Sequence, residues 1–114
     1  MKSKLTGLVA ATFTPLNADG EVDTDRVPAL VDHLEKNGVK GIYINGSTGE
    51  GTSLTCDERR EVASAYVSSA KGRLKTVVQV GCNSIKDAQA LAAHAESLGV
   101  DAISSTSPSY FKPT

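Results

Sequence analysis

The sequence predicts an α/β fold in which parallel β-strands alternate with α-helices, and three observations support this prediction. Short apolar segments typical of buried strands alternate with longer segments whose apolar residues have helical spacing. Each predicted helix is followed by a glycine, the residue that most often ends a helix. The pattern helix-Gly-Val-x-x-Ile occurs at 38–42 and again at 99–103, which indicates a repeated strand–helix unit.

The first strand is predicted over 7–14, before Pro15 and a turn at 17–20. The first helix is predicted to begin near Asp23 or Thr24, because both residue types favour helix N-termini. Its apolar face has helical spacing and contains Val27, Leu30, Val31 and Leu34.

The later elements continue this alternation. Strand two is predicted over 41–45, and the second helix opens with Thr55-x-x-Glu58, which matches a capping box. Strand three is predicted over 76–80, helix three begins near Ser84, and strand four covers 100–105. The buried side of the second helix is expected to contain Val62, Ala63, Tyr66, Val67 and Ala70.

Two architectures contain this order of elements: an open, doubly wound sheet and a closed (β/α)8 barrel. The pattern alone does not distinguish them. A closed barrel takes about 250 residues, whereas the chain has 114. On the barrel interpretation, 1–114 are therefore the N-terminal part of a single domain without an internal boundary. Such a part is either a piece of a longer protein or a half-barrel that needs a partner.

Composition narrows the classes of function. The chain is 39% hydrophobic and 22% charged, which is typical of a globular protein. A formal net charge of -1 with scattered basic residues argues against nucleic-acid binding. We expect no membrane span and no secretory signal. Cys56 and Cys82 lack metal-binding spacing and are expected to be small buried residues in a cytoplasmic protein.

The segment 45–51, Asn-Gly-Ser-Thr-Gly-Glu-Gly, is the strongest candidate site. It follows a predicted strand and precedes a helix, at the edge of the sheet where α/β proteins bind ligands. Its glycines allow backbone amides to approach a ligand, and Ser47 and Thr48 add hydroxyl groups. The segment suits a small anion such as a carboxylate or phosphate. A plain surface turn is the alternative, and the P-loop and dinucleotide motifs are absent.

Tyr110 lies in Ser-Pro-Ser-Tyr-Phe, just after the fourth predicted strand and at the same edge of the sheet. A tyrosine hydroxyl in that position can relay a proton. The alternative is an exposed aromatic side chain in a loop.

Five segments of the chain together resemble the N-acetylneuraminate lyase and dihydrodipicolinate synthase superfamily. These segments are residues 7–15, 45–55, 58–60, 80–84 and 107–110. The most specific element is Gly-Ser-Thr-Gly-Glu at 46–50, combined with its spacing along the chain from Thr14-Pro15. The start Ala-Ala-Thr-Phe-Thr-Pro, Ser47 and the continuation Gly-Glu-Gly-x-Ser-Leu are similar to the lyase branch.

The resemblance implies a (β/α)8 barrel, of which this chain carries about the first three and a half βα units. It also implies a class I aldolase of sialic acid catabolism that cleaves N-acetylneuraminate to pyruvate and N-acetylmannosamine. A lysine on the sixth strand forms a Schiff base with the keto group in this family. Ser47 and Thr48 match the residues that hold the substrate carboxylate. Gly46, Gly49 and Ala11 complete the expected substrate-binding set.

The same resemblance implies a homotetramer that uses no cofactor and no metal. Tyr110 matches a tyrosine that enters a neighbouring subunit's site and completes a proton relay. The Schiff-base lysine and a strand-five tyrosine do not fall within the 114 residues, so we expect these residues alone to be inactive.

Two alternatives stay open. One is a related enzyme, either a dihydrodipicolinate synthase or a 2-keto-3-deoxy-sugar-acid aldolase or dehydratase. The other is a non-catalytic half-barrel that serves as a binding or assembly module.

Overall fold

The structure, a computed structural model, describes residues 7–105 except the side chain of Thr52. Strands and helices alternate along the chain, with a short 3-10 helix before α1 (Thr24–Arg26) and another before α2 (Gly51–Ser53). In order, the main elements are β1 (Val9–Ala11), α1 (Val27–Lys36), β2 (Gly41–Ile44), α2 (Cys56–Ala70), β3 (Lys75–Gln79), α3 (Ile85–Ser97) and β4 (Ala102–Ser104).

The order of the strands decides between the two predicted architectures. All pairs are parallel, and the strands lie side by side as β1-β2-β3-β4. A doubly wound sheet reverses its strand order part-way, whereas a barrel keeps sequential order. With right-handed crossovers, sequential order puts every helix on one face of the sheet. Because α2 packs against both α1 and α3, the arrangement is that of part of a barrel, and the predicted fold class is confirmed.

The hydrophobic core lies between the helices and the outer face of the sheet. Alternate strand residues such as Ile42, Ile44 and Val78 contribute to it, opposite the apolar faces of the helices. The inner face carries residues that are neighbours across the strands, namely Ala11, Tyr43, Val77 and Ala102. The helix residues buried in the core are Val27, Val31, Val62, Ala63, Tyr66, Val67, Ala70, Leu91 and Ala95.

The predicted helix signals are confirmed in α2 and α3. Thr55 Oγ1 accepts a hydrogen bond from the Glu58 amide (3.1 Å), and the Glu58 carboxylate accepts one from the Thr55 amide (2.8 Å). This reciprocal capping satisfies two amides that have no partner within the helix. Ser84 caps α3 by accepting from the Asp87 amide at 3.2 Å. These caps fix where each helix begins after its strand.

Some predicted boundaries were wrong. The first strand has three residues rather than the predicted span 7–14, and the fourth has three rather than six. The α-helix after β1 begins at Val27, because Thr24–Arg26 forms a 3-10 turn. Asp23 makes no capping hydrogen bond; its carboxylate instead accepts from Arg26 Nε at 3.1 Å.

The two cysteines are half-buried rather than buried, and both are free thiols. Cys56 is the first residue of α2 and Cys82 lies in the loop after β3, and both contact the edge of the core. Tyr43, on β2, lies half-buried on the inner face of the sheet. Over 7–105, no helix is long and apolar enough to cross a membrane.

Candidate functional site

The candidate site is formed by the loops that follow β1 and β2, at the carboxyl ends of the strands. The Thr12 amide extends the strand pairing by donating to the Tyr43 carbonyl at 3.0 Å. Two residues further on, the buried hydroxyl of Thr14 donates to the Gly49 carbonyl at 2.6 Å. The β1 loop therefore holds the segment 45–51, which we call the carboxylate turn after the ligand group that the family resemblance predicts for it.

Two backbone hydrogen bonds close the carboxylate turn. The Glu50 amide donates to the Ser47 carbonyl (3.0 Å), and the Gly51 amide donates to the Gly46 carbonyl (3.1 Å). The donors in both bonds lie at the end of the turn, so closure does not use the amides of Ser47 and Thr48. The side chains of these two residues are exposed. The turn therefore leaves amides and hydroxyls available to a ligand, which is the arrangement that binds small anions.

Three glycines are required in this turn because other atoms lie where a side chain would be. A Cβ on Gly49 would lie 2.9 Å from the Thr12 carbonyl oxygen. A Cβ on Gly51 would overlap the carbonyl oxygen of Asn45, and one on Gly46 would overlap the ring of Tyr43. The turn is therefore packed tightly onto β1 and β2, which a plain surface turn does not require.

The first residue of the turn, Asn45, has the left-handed conformation (φ 62°) although it is not glycine. Its side chain is buried, and its Nδ2 donates to the Arg59 carbonyl at 3.0 Å. Asn tolerates this conformation better than most residues. This hydrogen bond to a carbonyl of α2 thus helps to fix the start of the turn.

Arg59 itself is 3% exposed. Its Nη2 donates to the Gln79 carbonyl (2.8 Å), and its Nη1 donates to the Gly81 carbonyl (2.9 Å) and to Cys82 Sγ (3.3 Å). A buried charge is costly unless it is well hydrogen-bonded. These contacts place a cation at the carboxyl end of β3.

Two tyrosines support the site from opposite faces of the sheet. Tyr43 on the inner face donates its hydroxyl to Ser104 Oγ at 3.1 Å, across β3. Tyr66 on α2 donates its hydroxyl to the Phe13 carbonyl at 2.7 Å, which holds the β1 loop. Burial raises the pKa of Tyr66 to about 12, so this phenol stays protonated near neutral pH.

The structure brings together most residues of the predicted substrate-binding set. Gly46 and Gly49 are buried within the carboxylate turn, and Ser47 and Thr48 are exposed on it. Ala11 ends the adjacent strand β1, in register with Tyr43. Their role in binding stays a prediction. Tyr110, the predicted proton relay, lies outside the described residues.

The sequence analysis gave no role in the site to the side chains of three residues: Thr14, Asn45 and Arg59. A signal for Arg59 was present, because positions 59, 62, 63, 66, 67 and 70 share the buried face of α2. An arginine on an otherwise apolar stripe predicts a buried contact. Asn45 had a weaker signal, since Asn-Gly after a strand favours a left-handed residue.

Charged groups near the site do not suggest a metal centre. Within the described part of the chain, no three His, Cys, Asp or Glu side chains cluster as metal ligands would. Lys40 and Lys75 lie at the amino ends of β2 and β3, at the opposite end of the sheet from the carboxylate turn.

Comparison with known proteins identifies the family. The model of the dihydrodipicolinate synthetase family matches residues 4–114, nearly the whole chain. The chain belongs to this family. Within the dihydrodipicolinate synthetase family, the N-acetylneuraminate lyase of Danio rerio is 59% identical over 112 residues, which cover 96% of this chain and 36% of that protein. The predicted superfamily is therefore confirmed.

Two solved structures show that the family fold is shared. The N-acetylneuraminate lyase of Proteus mirabilis has a TM-score of 0.94 and 41% identity, and the match covers 98% of this chain and 38% of that one. YagE, a prophage protein of this family from E. coli K12 solved in complex with pyruvate, has a TM-score of 0.92 and 30% identity. That match covers 98% of this chain and 38% of YagE. The chain thus spans about a third of the length of its relatives.

Proposed function

We propose that this chain supplies the carboxylate-binding part of a class I aldolase, a carbon–carbon lyase that cleaves N-acetylneuraminate to pyruvate and N-acetylmannosamine. The observation that carries the proposal is the carboxylate turn, whose closure leaves the amides and hydroxyls of Ser47 and Thr48 for a ligand. The identity of 59% with a relative named N-acetylneuraminate lyase supports the lyase branch.

In this proposal the turn binds the carboxylate that N-acetylneuraminate and pyruvate share. Amide and hydroxyl donors suit a carboxylate because hydrogen bonds to a charged acceptor are stronger than those between neutral groups. The tight packing of Gly49 and Gly51 on the strands preorganises these donors, so little freedom is lost when the ligand binds. YagE, a relative with 30% identity, was solved with pyruvate, which carries this group.

The nucleophile is proposed to lie outside these residues. The family resemblance assigns the Schiff-base lysine to a sixth strand and the assisting tyrosine to a fifth, whereas the structure describes four strands. We therefore propose that residues 1–114 alone cleave no substrate, and that they are the N-terminal part of a single barrel without an internal domain boundary.

The complete protein is proposed to be a homotetramer in which Tyr110 enters a neighbouring subunit's site. Replacing Tyr110 by Phe should then lower kcat while the tetramer persists, as measured by light scattering after size-exclusion chromatography. Unchanged kcat would remove Tyr110 from the proton relay without affecting the role of the carboxylate turn.

A chimera provides the direct test of activity. In this protein, the barrel chimera, our chain replaces the corresponding N-terminal residues of the Danio rerio lyase, with which it is 59% identical. The chimera should release pyruvate from N-acetylneuraminate. Replacing Ser47 and Thr48 together by Ala should raise KM by roughly 10- to 100-fold, the cost of losing hydrogen bonds to a charged group. Ser68→Ala, on the exposed face of α2, is the matched control.

The outcomes separate the alternatives. Condensation of pyruvate with aspartate semialdehyde, or turnover of a 2-keto-3-deoxy sugar acid, without cleavage of N-acetylneuraminate would favour a related enzyme of the family. An unchanged KM in the double variant would exclude the hydroxyls of Ser47 and Thr48 as ligands of the carboxylate. For residues 1–114 alone, pyruvate and borohydride should label no lysine, and a pyruvate adduct on this chain would contradict the proposed missing nucleophile.

A further inference from the structure

Arg59 is a buried cation without a counter-ion among the described residues. It is 3% exposed, and none of the ion pairs within 7–105 includes it. Its acceptors are two backbone carbonyls and a thiol sulfur, all of them uncharged. Dipoles of this kind orient a guanidinium but do not cancel its charge. A buried, uncompensated charge is expensive, so its presence calls for an explanation.

The position of Arg59 offers that explanation. Its own carbonyl accepts from Asn45 Nδ2 at 3.0 Å, and Asn45 is the left-handed residue with which the carboxylate turn begins. Its guanidinium binds the carbonyls of Gln79 and Gly81 at the end of β3. One residue therefore joins the start of the turn to the neighbouring strand end. The positive charge lies at the carboxyl end of β3, the strand next to β2, which the turn follows.

We propose that Arg59 is a positioning residue for the substrate carboxylate, an inference that rests on the proposed function. It acts in two ways. Its guanidinium contacts tie the start of α2 to the end of β3, and the Arg59 carbonyl, fixed in this way, holds Asn45 at the start of the turn. Its charge raises the electrostatic potential at the turn, which is effective because the surrounding protein screens it less than water would. Arg59 does not touch the substrate, so its effect is on binding rather than on the chemical step.

The test compares two neighbouring arginines of α2 in the barrel chimera. Arg59→Met removes the buried charge, whereas Arg60→Met removes a partly exposed one that pairs with Asp57 at 2.5 Å. We expect R59M to raise KM for N-acetylneuraminate about tenfold with kcat changed less than about twofold, since uniform binding of substrate and transition state is lost. R60M should leave both constants unchanged. Arg59→Lys keeps the charge but cannot reproduce the planar set of contacts, so it should restore KM only in part.

A merely structural role predicts a different result. In that case R59M would lower the melting temperature and the active fraction, and therefore kcat per total protein, while KM would stay the same. That pattern, or full restoration of KM by Arg59→Lys, would overturn the proposal.

A second variant decides the question if R59M does not fold. Asn45→Gly keeps the left-handed conformation, which glycine adopts without strain, but removes the Nδ2 hydrogen bond to Arg59. We expect a several-fold higher KM with kcat preserved, and an unchanged KM would overturn the link between Arg59 and the turn. Where R59M folds, the double variant should raise KM by less than the product of the single effects, because the guanidinium contacts fix the helix segment whose Arg59 carbonyl accepts from Asn45 Nδ2.

The Ser47 and Thr48 variants separate this inference from the proposed function. If their double replacement raises KM while R59M and N45G do not, the turn binds the carboxylate and only the role of Arg59 fails. If none of these variants changes KM, the proposed function fails as well.

Discussion

Glycines at the two ends of the sheet are needed for different reasons. At the carboxyl end, Gly51 is required by space, because a Cβ there would overlap the Asn45 carbonyl oxygen. At the amino end, Gly38 after α1 is required by conformation: its φ is +84°, and nothing lies within 4 Å of a Cβ placed on it. The carboxyl end is thus held by close contacts around the turn, and the amino end by local backbone geometry.

This difference bears on function. Strain at one helix end is a local cost, but displacement of the carboxylate turn moves several donors that must act on one ligand. Substitutions at the carboxyl end should therefore alter binding and stability together. Substitutions at the amino end should alter stability alone. The following predictions concern the barrel chimera, from the largest expected effect to the smallest.

The largest effect is expected from Gly51→Ala. Overlap with the Asn45 carbonyl forces the turn to move, which we expect to cost about 3 kcal/mol of unfolding free energy and to raise KM more than tenfold. Gly38→Ala should cost about 1 kcal/mol through its left-handed φ and leave KM unchanged. Urea unfolding and steady-state kinetics measure both. Equal effects of the two substitutions on KM would remove the contrast between the ends.

Thr14→Val should have the next largest effect. It removes the 2.6 Å hydrogen bond to the Gly49 carbonyl and leaves that buried acceptor unpaired, at a cost of about 2 kcal/mol. KM should rise because the β1 loop no longer holds the turn. Thr14→Ser keeps the hydroxyl and should give nearly the parent KM; a serine variant that behaves like valine would show that the hydroxyl alone does not hold the turn.

Tyr66→Phe should destabilise the protein by about 1 kcal/mol, since the Tyr66 hydroxyl donates a hydrogen bond to the Phe13 carbonyl at 2.7 Å. Urea unfolding of the two proteins measures this difference.

The Tyr66 pKa of about 12 also predicts that stability depends on pH. Because the folded-state pKa is raised, the contribution of the phenol is complete below the unfolded value of about 10 and is lost as the pH rises toward 12. Melting temperatures between about pH 8 and pH 11 should therefore fall more steeply for the parent chimera than for the Tyr66→Phe variant. If the melting temperatures of the two proteins fell in parallel with rising pH, the raised pKa of the buried Tyr66 phenol would be contradicted.

The smallest effect is expected from Arg73→Met, at the amino end. Arg73 Nη1 pairs with Asp32 (2.7 Å) and Glu35 (2.9 Å), and all three side chains are partly exposed. Exposed pairs contribute little and are screened by salt. The melting temperature should change less than in Tyr66→Phe, the difference should vanish at high salt, and KM should not change. A KM effect here would mean that the two ends are coupled.

The fold was more predictable than the site, for a physical reason. Helices α2 and α3 follow from apolar spacing and from caps made by nearby residues, such as Thr55 with Glu58. The strand order does not follow from local pattern, because it depends on which strands pair. The structure supplied the sequential order that distinguishes a barrel from an open sheet.

The site was predicted where its signal is local. Ser47 and Thr48 belong to a short glycine-rich segment that could be recognised by itself. Thr14 and Arg59 act through hydrogen bonds to residues 35 and 20 positions away, respectively, which no local pattern encodes. The length of the first strand was overestimated, because apolar residues such as Phe13 belong to the loop after it.

The most direct test of the central claim is a crystal structure of the barrel chimera with pyruvate trapped by borohydride. The carboxylate should lie within hydrogen-bonding distance of the Ser47 and Thr48 amides, with Asn45 still left-handed. A carboxylate bound elsewhere, with the carboxylate turn empty, would contradict the account.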